Sequence, residues 1–263
     1  MMPKGDDYMS DLIYRYMSYS EFLDILFFNR LTMRYPGNWP DKLEALFLKS
    51  FEKQKEINKL ADEYGKIYPN YSLLDTISDF QIISSVLIKS RCQCWTHKEN
   101  DLVLWNERKG NESVRIGVRE ELFDKYDVQG KGVLVHRDVK YIPKVIYKTI
   151  INLFVEADRR VTDFVTVKKN VFKYENEHRL VLLPNDHSFS TPSYGDTLSE
   201  ALSRHFLGTK SEFGLQDKYI VFDPQNIVSV KSSPYSTDAF SKLVEVDCKR
   251  FDLSYDGIST ILD

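Results

Sequence analysis

Short strand-like segments recur along this chain with helical stretches between them, and this pattern constrains the fold more than any other feature. The strand-like segments are runs rich in β-branched and aromatic residues, whereas the helical stretches place apolar residues three and four positions apart. They lack the regular strand and helix alternation of a parallel sheet. The pattern therefore predicts an α+β fold with a mixed, mainly antiparallel sheet and helices inserted between the strands. The predicted strands are 12–17, 92–96, 114–118, 132–136, 139–142, 174–184, 219–222 and 227–230, and the predicted helices 22–28, 41–64, 72–88, 101–107, 145–158, 198–206 and 237–246.

The composition is that of one globular domain from a reducing compartment. No low-complexity segment or Gly/Ser/Pro-rich linker divides the 263 residues, so we expect a single domain over 1–263 with its core at about 12–250. A net charge of -3 predicts no overall attraction to nucleic acid or to an anionic membrane. The three cysteines do not form a disulfide framework, since Cys92 and Cys94 are separated by one residue. We expect a cytoplasmic protein with no membrane partner, and the sequence predicts no oligomeric state.

Two glutamates in the sequence Tyr174-Glu175-Asn176-Glu177-His178-Arg179 are the most informative chemical feature. Side chains alternate along an extended strand, so Glu175, Glu177 and Arg179 are expected on one face. Paired carboxylates suit cleavage of a glycosidic bond, where one stabilises the oxocarbenium-like sugar and the other transfers a proton. The alternative is that Arg179 neutralises one or both glutamates in a structural ion pair.

A second group of candidate residues lies on two other predicted strands. Arg15 stands between Tyr14 and Tyr16, where a guanidinium can hold a phosphate or a ribose; the alternative is an edge-strand arginine in solvent. Trp95 and Thr96 offer a stacking ring and a hydroxyl, although a tryptophan is more often a core residue than a platform for a ligand.

The sequence predicts no metal site. The segment Cys92-x-Cys94-x-x-His97 resembles part of a zinc site, but no second pair of ligands follows at a suitable spacing. Asp41 and Glu44 with Glu175 and Glu177 would suit a Mg²⁺-dependent nuclease, which ranks third among the functions because no Glu-x-Lys follows a fitting Asp. A glycine-rich phosphate loop, a Gly-x-Ser-x-Gly elbow and a His-Glu-x-x-His motif are all absent from the sequence.

The order of these landmarks resembles a widespread bacterial family known as domain of unknown function twenty-nine seventy-one. That family name implies no activity. The matching segments are Tyr14-Arg15-Tyr16, Cys94-Trp95-Thr96, Val103-Leu104-Trp105, Val114-Arg115-Ile116-Gly117 and Phe172 to Arg179.

A more remote resemblance does imply an activity. Arg15, then Trp95-Thr96, then Glu175-Asn176-Glu177 ahead of 181–184 resemble the three motifs of ADP-ribosyltransferases of the Arg-Ser-Glu type. The resemblance implies a split sheet that binds NAD as substrate. Arg15 would hold the pyrophosphate or a ribose, Glu177 would stabilise the oxocarbenium as nicotinamide leaves, and Glu175 would orient or deprotonate the acceptor.

The resulting prediction is an NAD-dependent ADP-ribosyltransferase or NAD glycohydrolase with a protein or nucleic-acid acceptor, in a toxin or phage-defence setting. Its predicted catalytic residues are Glu177 and Glu175, and its cofactor-binding residues are Arg15, Tyr14, Tyr16, Trp95 and Thr96. The alternative is a non-catalytic sensor or interaction domain in which Glu175, Glu177 and Arg179 form a structural network.

Overall fold

The computed structural model has helices packed on a mainly antiparallel sheet, as the α+β prediction requires. It describes residues 12–39, 54–67, 69, 89–107, 111–124, 126, 128, 132–143, 165–184 and 218–260. In these ranges the helices are α1 (Tyr19–Phe28), α2 (Gln54–Ile67), α3 (Leu102–Glu107) and α4 (Asp238–Arg250). The strands there are β1 (Leu12–Ser18), β2 (Arg30–Met33), β3 (Arg91–Thr96), β4 (Ser113–Arg119), β5 (Gly132–Asp138), β6 (Lys140–Ile142), β7 (Val167–Lys169), β8 (Glu177–Pro184), β9 (Lys218–Val221) and β10 (Ile227–Ser232).

A six-stranded sheet forms the centre of the fold. Its strand order is β10-β4-β1-β3-β8-β5, and every pair of neighbours is antiparallel. Two smaller sheets flank it: β2 pairs with β9 in antiparallel fashion, and β6 pairs with β7 in parallel. The mixed, mainly antiparallel sheet predicted from the sequence is therefore confirmed.

The two faces of the central sheet differ in character. Tyr14 pairs with Thr96, and Thr96 in turn pairs with Glu177, so these three side chains lie on one face. The opposite face carries an apolar core that includes Ile13, Met17, Trp95, Ile116 and Leu180, together with buried residues of α1 and α4. The sheet therefore separates the glutamate segment from the main core.

Two boundaries differ from the predicted ones. The segment Asn170–Glu175 forms a 3-10 helix rather than a strand, and β8 begins only at Glu177. Asn176 between them has a φ of 42°, a left-handed conformation that asparagine tolerates better than most residues. The predicted strand 139–142 does not extend the central sheet: the Val139 N–H donates to Glu177 O, but the Lys140 N–H donates to Thr166 O and leads the chain into the small β6-β7 sheet.

The predicted helices 72–88, 145–158 and 198–206 lie outside the described residues, as do residues 41–53 of the predicted helix 41–64. Among the helices that are described, α4 runs four residues beyond its predicted end. None of these described helices has the length and apolar character needed to cross a membrane.

Helix α1 follows β1 directly because Ser18 caps it. The Ser18 hydroxyl accepts from the Glu21 N–H at 3.2 Å, and the Glu21 carboxylate accepts from the Ser18 N–H at 3.2 Å. This is the capping box predicted from Ser18-x-x-Glu21. At the other end, Asn29 adopts the left-handed conformation and its N–H returns to α1 carbonyls.

We expect Ser18→Ala to lower the free energy of unfolding by about 1 kcal/mol, because it leaves N–H groups at the start of α1 without an acceptor. Chemical denaturation measures the change. Ser18→Thr retains a capping hydroxyl and is the matched control, expected near the wild-type value. Equal losses in both variants would contradict a capping role.

Candidate functional site

Glu177 is a buried carboxylate surrounded by donors. Arg179 Nε and Nη2 contact Glu177 Oε1 at 2.7 and 2.6 Å, and Lys168 Nζ lies 3.2 Å from Oε2. The Glu177 side chain is only 2% exposed. Burial on its own would raise the pKa of Glu177, but the charges of Arg179 and Lys168 and a hydrogen bond from Cys94 bring the pKa below its ordinary value. Glu177 is therefore ionised at neutral pH.

Arg179 is enclosed as completely as its partner. Its Nη1 donates to the carbonyl of Val165, and its guanidinium lies 4.3 Å from the centre of the Trp39 ring. The sequence left open which glutamate Arg179 would contact, and the structure pairs it with Glu177. The structural ion pair considered as an alternative is therefore present at Glu177.

Glu175 also contacts the Lys168 ammonium group, from the end of the 3-10 helix that precedes β8. Lys168 Nζ lies 2.7 Å from Glu175 Oε2, so Lys168 contacts both glutamates. Burial raises the pKa of Glu175 to about 7; Lys168 opposes this rise, and the charge of Glu177 adds to it. Glu175 is 12% exposed and can gain or lose a proton near neutral pH.

Backbone and hydroxyl groups hold the turn that brings the two glutamates together. The Thr96 hydroxyl donates to the carbonyl of Glu175 at 2.5 Å, and the Glu177 N–H donates to the Tyr141 hydroxyl at 2.8 Å. Thr96, predicted to bind the cofactor, thus positions the catalytic candidates in this structure.

Tyr14 and Tyr16 lie on the same face of the sheet as Glu177, but both are packed. The Arg115 guanidinium lies 4.6 Å from the centre of the Tyr14 ring. The Tyr16 ring meets Trp105 edge-on at 4.7 Å, and its hydroxyl donates to the carbonyl of Glu99 at 2.9 Å. The structure thus brings these two predicted cofactor-binding residues to the glutamate face within a small aromatic cluster.

Arg15 and Trp95 lie on the opposite face, so the expected convergence of Arg15 with Glu177 is not found. Side chains alternate along β1 and β3, and the neighbours Tyr14 and Thr96 occupy the Glu177 face. Trp95 packs in the main core, where its Nε1 donates to Gln93 Oε1 at 2.8 Å. Trp95 is therefore a core tryptophan, which was the alternative to its predicted role as a stacking ring.

Arg15 is not the solvent-exposed edge arginine considered as its alternative. Strand β1 is central in the sheet, and Arg15 is 5% exposed. Its Nη1 donates to the carbonyl of Cys94 at 3.2 Å, and its Nη2 contacts Glu21 Oε1 at 3.2 Å. Arg34 Nη2 contacts that same oxygen at 2.8 Å, so two guanidinium groups meet on one carboxylate.

The sequence did not reveal a second polar cluster on the core face of β8. It consists of three histidines and three acids that come from four segments: His97, Glu120, Asp124, His136, Asp138 and His178. The sequence had indicated a role for His97 only through its spacing from Cys92 and Cys94. Cys94 instead points to the other face and donates to Glu177, while Asp41 and Glu44 lie outside the described residues.

Comparison of the chain with protein-family models, curated proteins and solved structures found no match. The two resemblances drawn from its motifs therefore stay predictions, and the function is argued from the site.

We expect Arg179→Met to lower the free energy of unfolding by about 3–5 kcal/mol, because it leaves Glu177 buried without its main partner. Denaturant unfolding measures the loss. The double variant Glu177→Gln/Arg179→Met also removes the charge of Glu177 and should therefore recover much of the lost stability. A double variant that loses as much as the sum of the two single variants would contradict an energetically coupled pair.

Glu175 should make stability depend on pH. Its pKa of about 7 in the folded protein lies above the ordinary value of 4.5, so the folded state holds the proton more tightly than the unfolded state. The free energy of unfolding then falls as pH rises from about 4.5 to about 7 and stays lower above that. Because Glu175→Gln cannot ionise, its melting temperature relative to wild type should be higher at about pH 8 than at about pH 5.

The control for this measurement is Glu245→Gln, which changes an exposed glutamate of α4. Its difference from wild type should be the same at both pH values. If the difference in melting temperature between Glu175→Gln and wild type is also the same at both pH values, Glu175 does not titrate in this range.

Proposed function

We propose that this protein binds NAD and cleaves the bond between nicotinamide and ribose, transferring ADP-ribose to a protein or nucleic-acid acceptor or to water. The observation that carries the proposal is the pair of glutamates on Lys168. Both carboxylates contact one ammonium group, and their pKa values are displaced in opposite directions. Such a divergence assigns an ionised role to one carboxylate and a proton-transfer role to the other.

The chemistry of glycosyl transfer needs those two roles. As the C–N bond breaks, its electron pair leaves with the pyridinium nitrogen, nicotinamide departs neutral, and positive charge develops on the ribose ring. Glu177, which is ionised, stabilises that charge. Glu175 accepts the proton of the attacking hydroxyl as the new bond to the ribose carbon forms, and a group with a pKa of about 7 is suited to that transfer at neutral pH.

The arrangement of the strands also supports the proposal. The three motifs of the resemblance are spread over more than half of the sequence, yet they lie on β1, β3 and β8, which are consecutive neighbours in the sheet. Tyr14, Thr96 and Glu177 form a row across these strands. Strands β1 and β3 are joined in the sheet through the Tyr14 to Thr96 pair.

In the proposal, the nicotinamide ribose lies on the Tyr14, Thr96 and Glu177 row. Arg15, to which the resemblance assigns the pyrophosphate, lies on the opposite face of the sheet, where it and Arg34 share one oxygen of Glu21, and it has no such role in this arrangement. Trp95 has no contact with the cofactor in this arrangement.

A second candidate function is favoured by the burial of Glu177. Both of its carboxylate oxygens are engaged, by Arg179 and by Lys168, in the way expected of a network that serves only the fold. The protein would then be a non-catalytic sensor or interaction domain. The two functions differ in whether removing a carboxylate affects turnover or stability.

Release of nicotinamide from NAD by the full chain tests the proposal. We expect Glu177→Gln to lower turnover by about 10²–10³-fold, because the amide does not stabilise the developing positive charge. Glu175→Gln should lower it by about 10²-fold or more and should abolish the rise in rate with pH whose midpoint lies near 7.

Glu245→Gln is the matched control and should leave turnover unchanged. Thermal unfolding is measured in parallel, and a shift on addition of millimolar NAD is expected for the wild type. The absence of both nicotinamide release and an NAD-induced shift would reject the enzyme and leave the non-catalytic domain. Release that persists in both glutamine variants would reject the assignment of these two glutamates.

A further inference from the structure

A chain of contacts links two histidines and two aspartates on the face of the sheet opposite Glu177. Asp124 Oδ1 lies 2.9 Å from His136 Nε2, His136 Nδ1 lies 3.1 Å from His178 Nε2, and His178 Nδ1 lies 2.8 Å from Asp138 Oδ1. His178 and His136 come from β8 and β5, Asp138 ends β5, and Asp124 follows β4. His178 is 2% exposed, so its ring is held from all sides.

These contacts need more protons than two neutral imidazole rings supply. Each contact needs one proton between its two atoms, because an ionised carboxylate only accepts and two bare ring nitrogens repel each other. Three contacts therefore need three ring protons, whereas His136 and His178 carry one each when neutral. Either an imidazolium proton or a bound cation completes the set of contacts.

A metal ion on His178 Nδ1 meets that need without an additional proton. With the metal on Nδ1, His178 donates its Nε2 proton to His136 Nδ1, and His136 donates its Nε2 proton to Asp124. Both rings are then neutral, and each remaining contact has one donor and one acceptor. A ligating histidine whose second nitrogen donates into a chain that ends at a carboxylate is the usual support of a protein metal site.

Further ligand atoms surround His178 Nδ1. His97 Nε2 lies 2.7 Å from Asp138 Oδ1, the oxygen that also contacts His178, and Glu120 Oε1 lies 3.9 Å from His178 Nδ1. His97, Glu120 and His178 each offer an atom within 4.8 Å of the others. Ligand atoms on a tetrahedral zinc ion are roughly 3.3–3.5 Å apart, so small side-chain movements bring this set into range.

We propose that His97, His178, Glu120 and Asp138 bind a divalent transition-metal ion of the zinc class, with His136 and Asp124 orienting His178. Two imidazole and two carboxylate ligands suit Zn²⁺ and its neighbours, whereas Mg²⁺ and Ca²⁺ require oxygen ligands almost exclusively. Asp138 is 72% exposed, so an ion enters from solvent on that side. The site is separate from the NAD proposal, because it lies on the other face of β8.

Zinc binding to the chelator-treated full chain, measured by calorimetry, tests this site. The ligand variants are His97→Gln and Glu120→Gln, because both side chains are partly exposed and their loss should leave the fold intact. The matched control is Glu245→Gln, which removes an exposed carboxylate of α4. Melting temperatures without metal establish that each variant folds.

We expect one Zn²⁺ per wild-type chain, affinity reduced about 10-fold or more in each ligand variant, and unchanged affinity in the control. Co²⁺ should give visible absorption bands of a tetrahedral nitrogen and oxygen site in the wild type, and His97→Gln should weaken them. The proposal fails if the wild type shows no saturable binding, if both ligand variants bind like wild type, or if Glu245→Gln loses as much affinity as they do. If the wild type shows no saturable binding, the extra positive charge of the cluster is a proton.

Discussion

The pairing of Thr96 with both Tyr14 and Glu177 decides on which face of the sheet the clustered polar side chains of this protein lie. Because alternate residues of a strand face opposite sides, this register directs Glu177 and Arg179 to one face and His178 to the other. A slip of one residue in β8 would exchange the two sets and bring a carboxylate into the apolar core. The buried ion pair and the histidine cluster therefore both depend on the same backbone hydrogen bonds between β3 and β8.

Charge compensation explains what each face contains. A buried carboxylate without partners is strongly unfavourable, so Glu177 lies between Arg179 and Lys168. Lys168 also serves Glu175, and one ammonium group cannot fully compensate two carboxylates. The more buried one, with a guanidinium of its own, stays ionised, and the pKa of the other rises to about 7. Burial raises the pKa of both carboxylates, and only Glu177 has enough cationic partners to reverse that rise.

The sequence predicted much of the fold because the patterns that carry it are local. The Ser18 to Glu21 capping box involves residues three apart, and alternation identified β1, β3 and β4 within one or two residues. It also predicted that Glu177 and Arg179 would share a face. It could not predict which face of the sheet would be covered by the core, so Arg15 was assigned to the glutamate side.

The histidine cluster escaped prediction for a related reason. His97, Glu120, Asp138 and His178 come from four segments that meet only when β5, β8 and β3 become neighbours. The spacing of these residues in the sequence does not indicate such a site. Pairing within the sheet, such as that of Asp138 with His178, is the information that was missing.

The incorrectly predicted strand at Tyr174 has the largest consequence for the site. Had Glu175 stood on β8 two residues before Glu177, the two would be about 6.6 Å apart along the strand. The 3-10 turn and the left-handed Asn176 instead bring Glu175 back to the same ammonium group that contacts Glu177. Because it approaches from outside the sheet, Glu175 stays in contact with solvent while its pKa rises. The turn therefore places a carboxylate with a raised pKa beside one whose pKa is lowered.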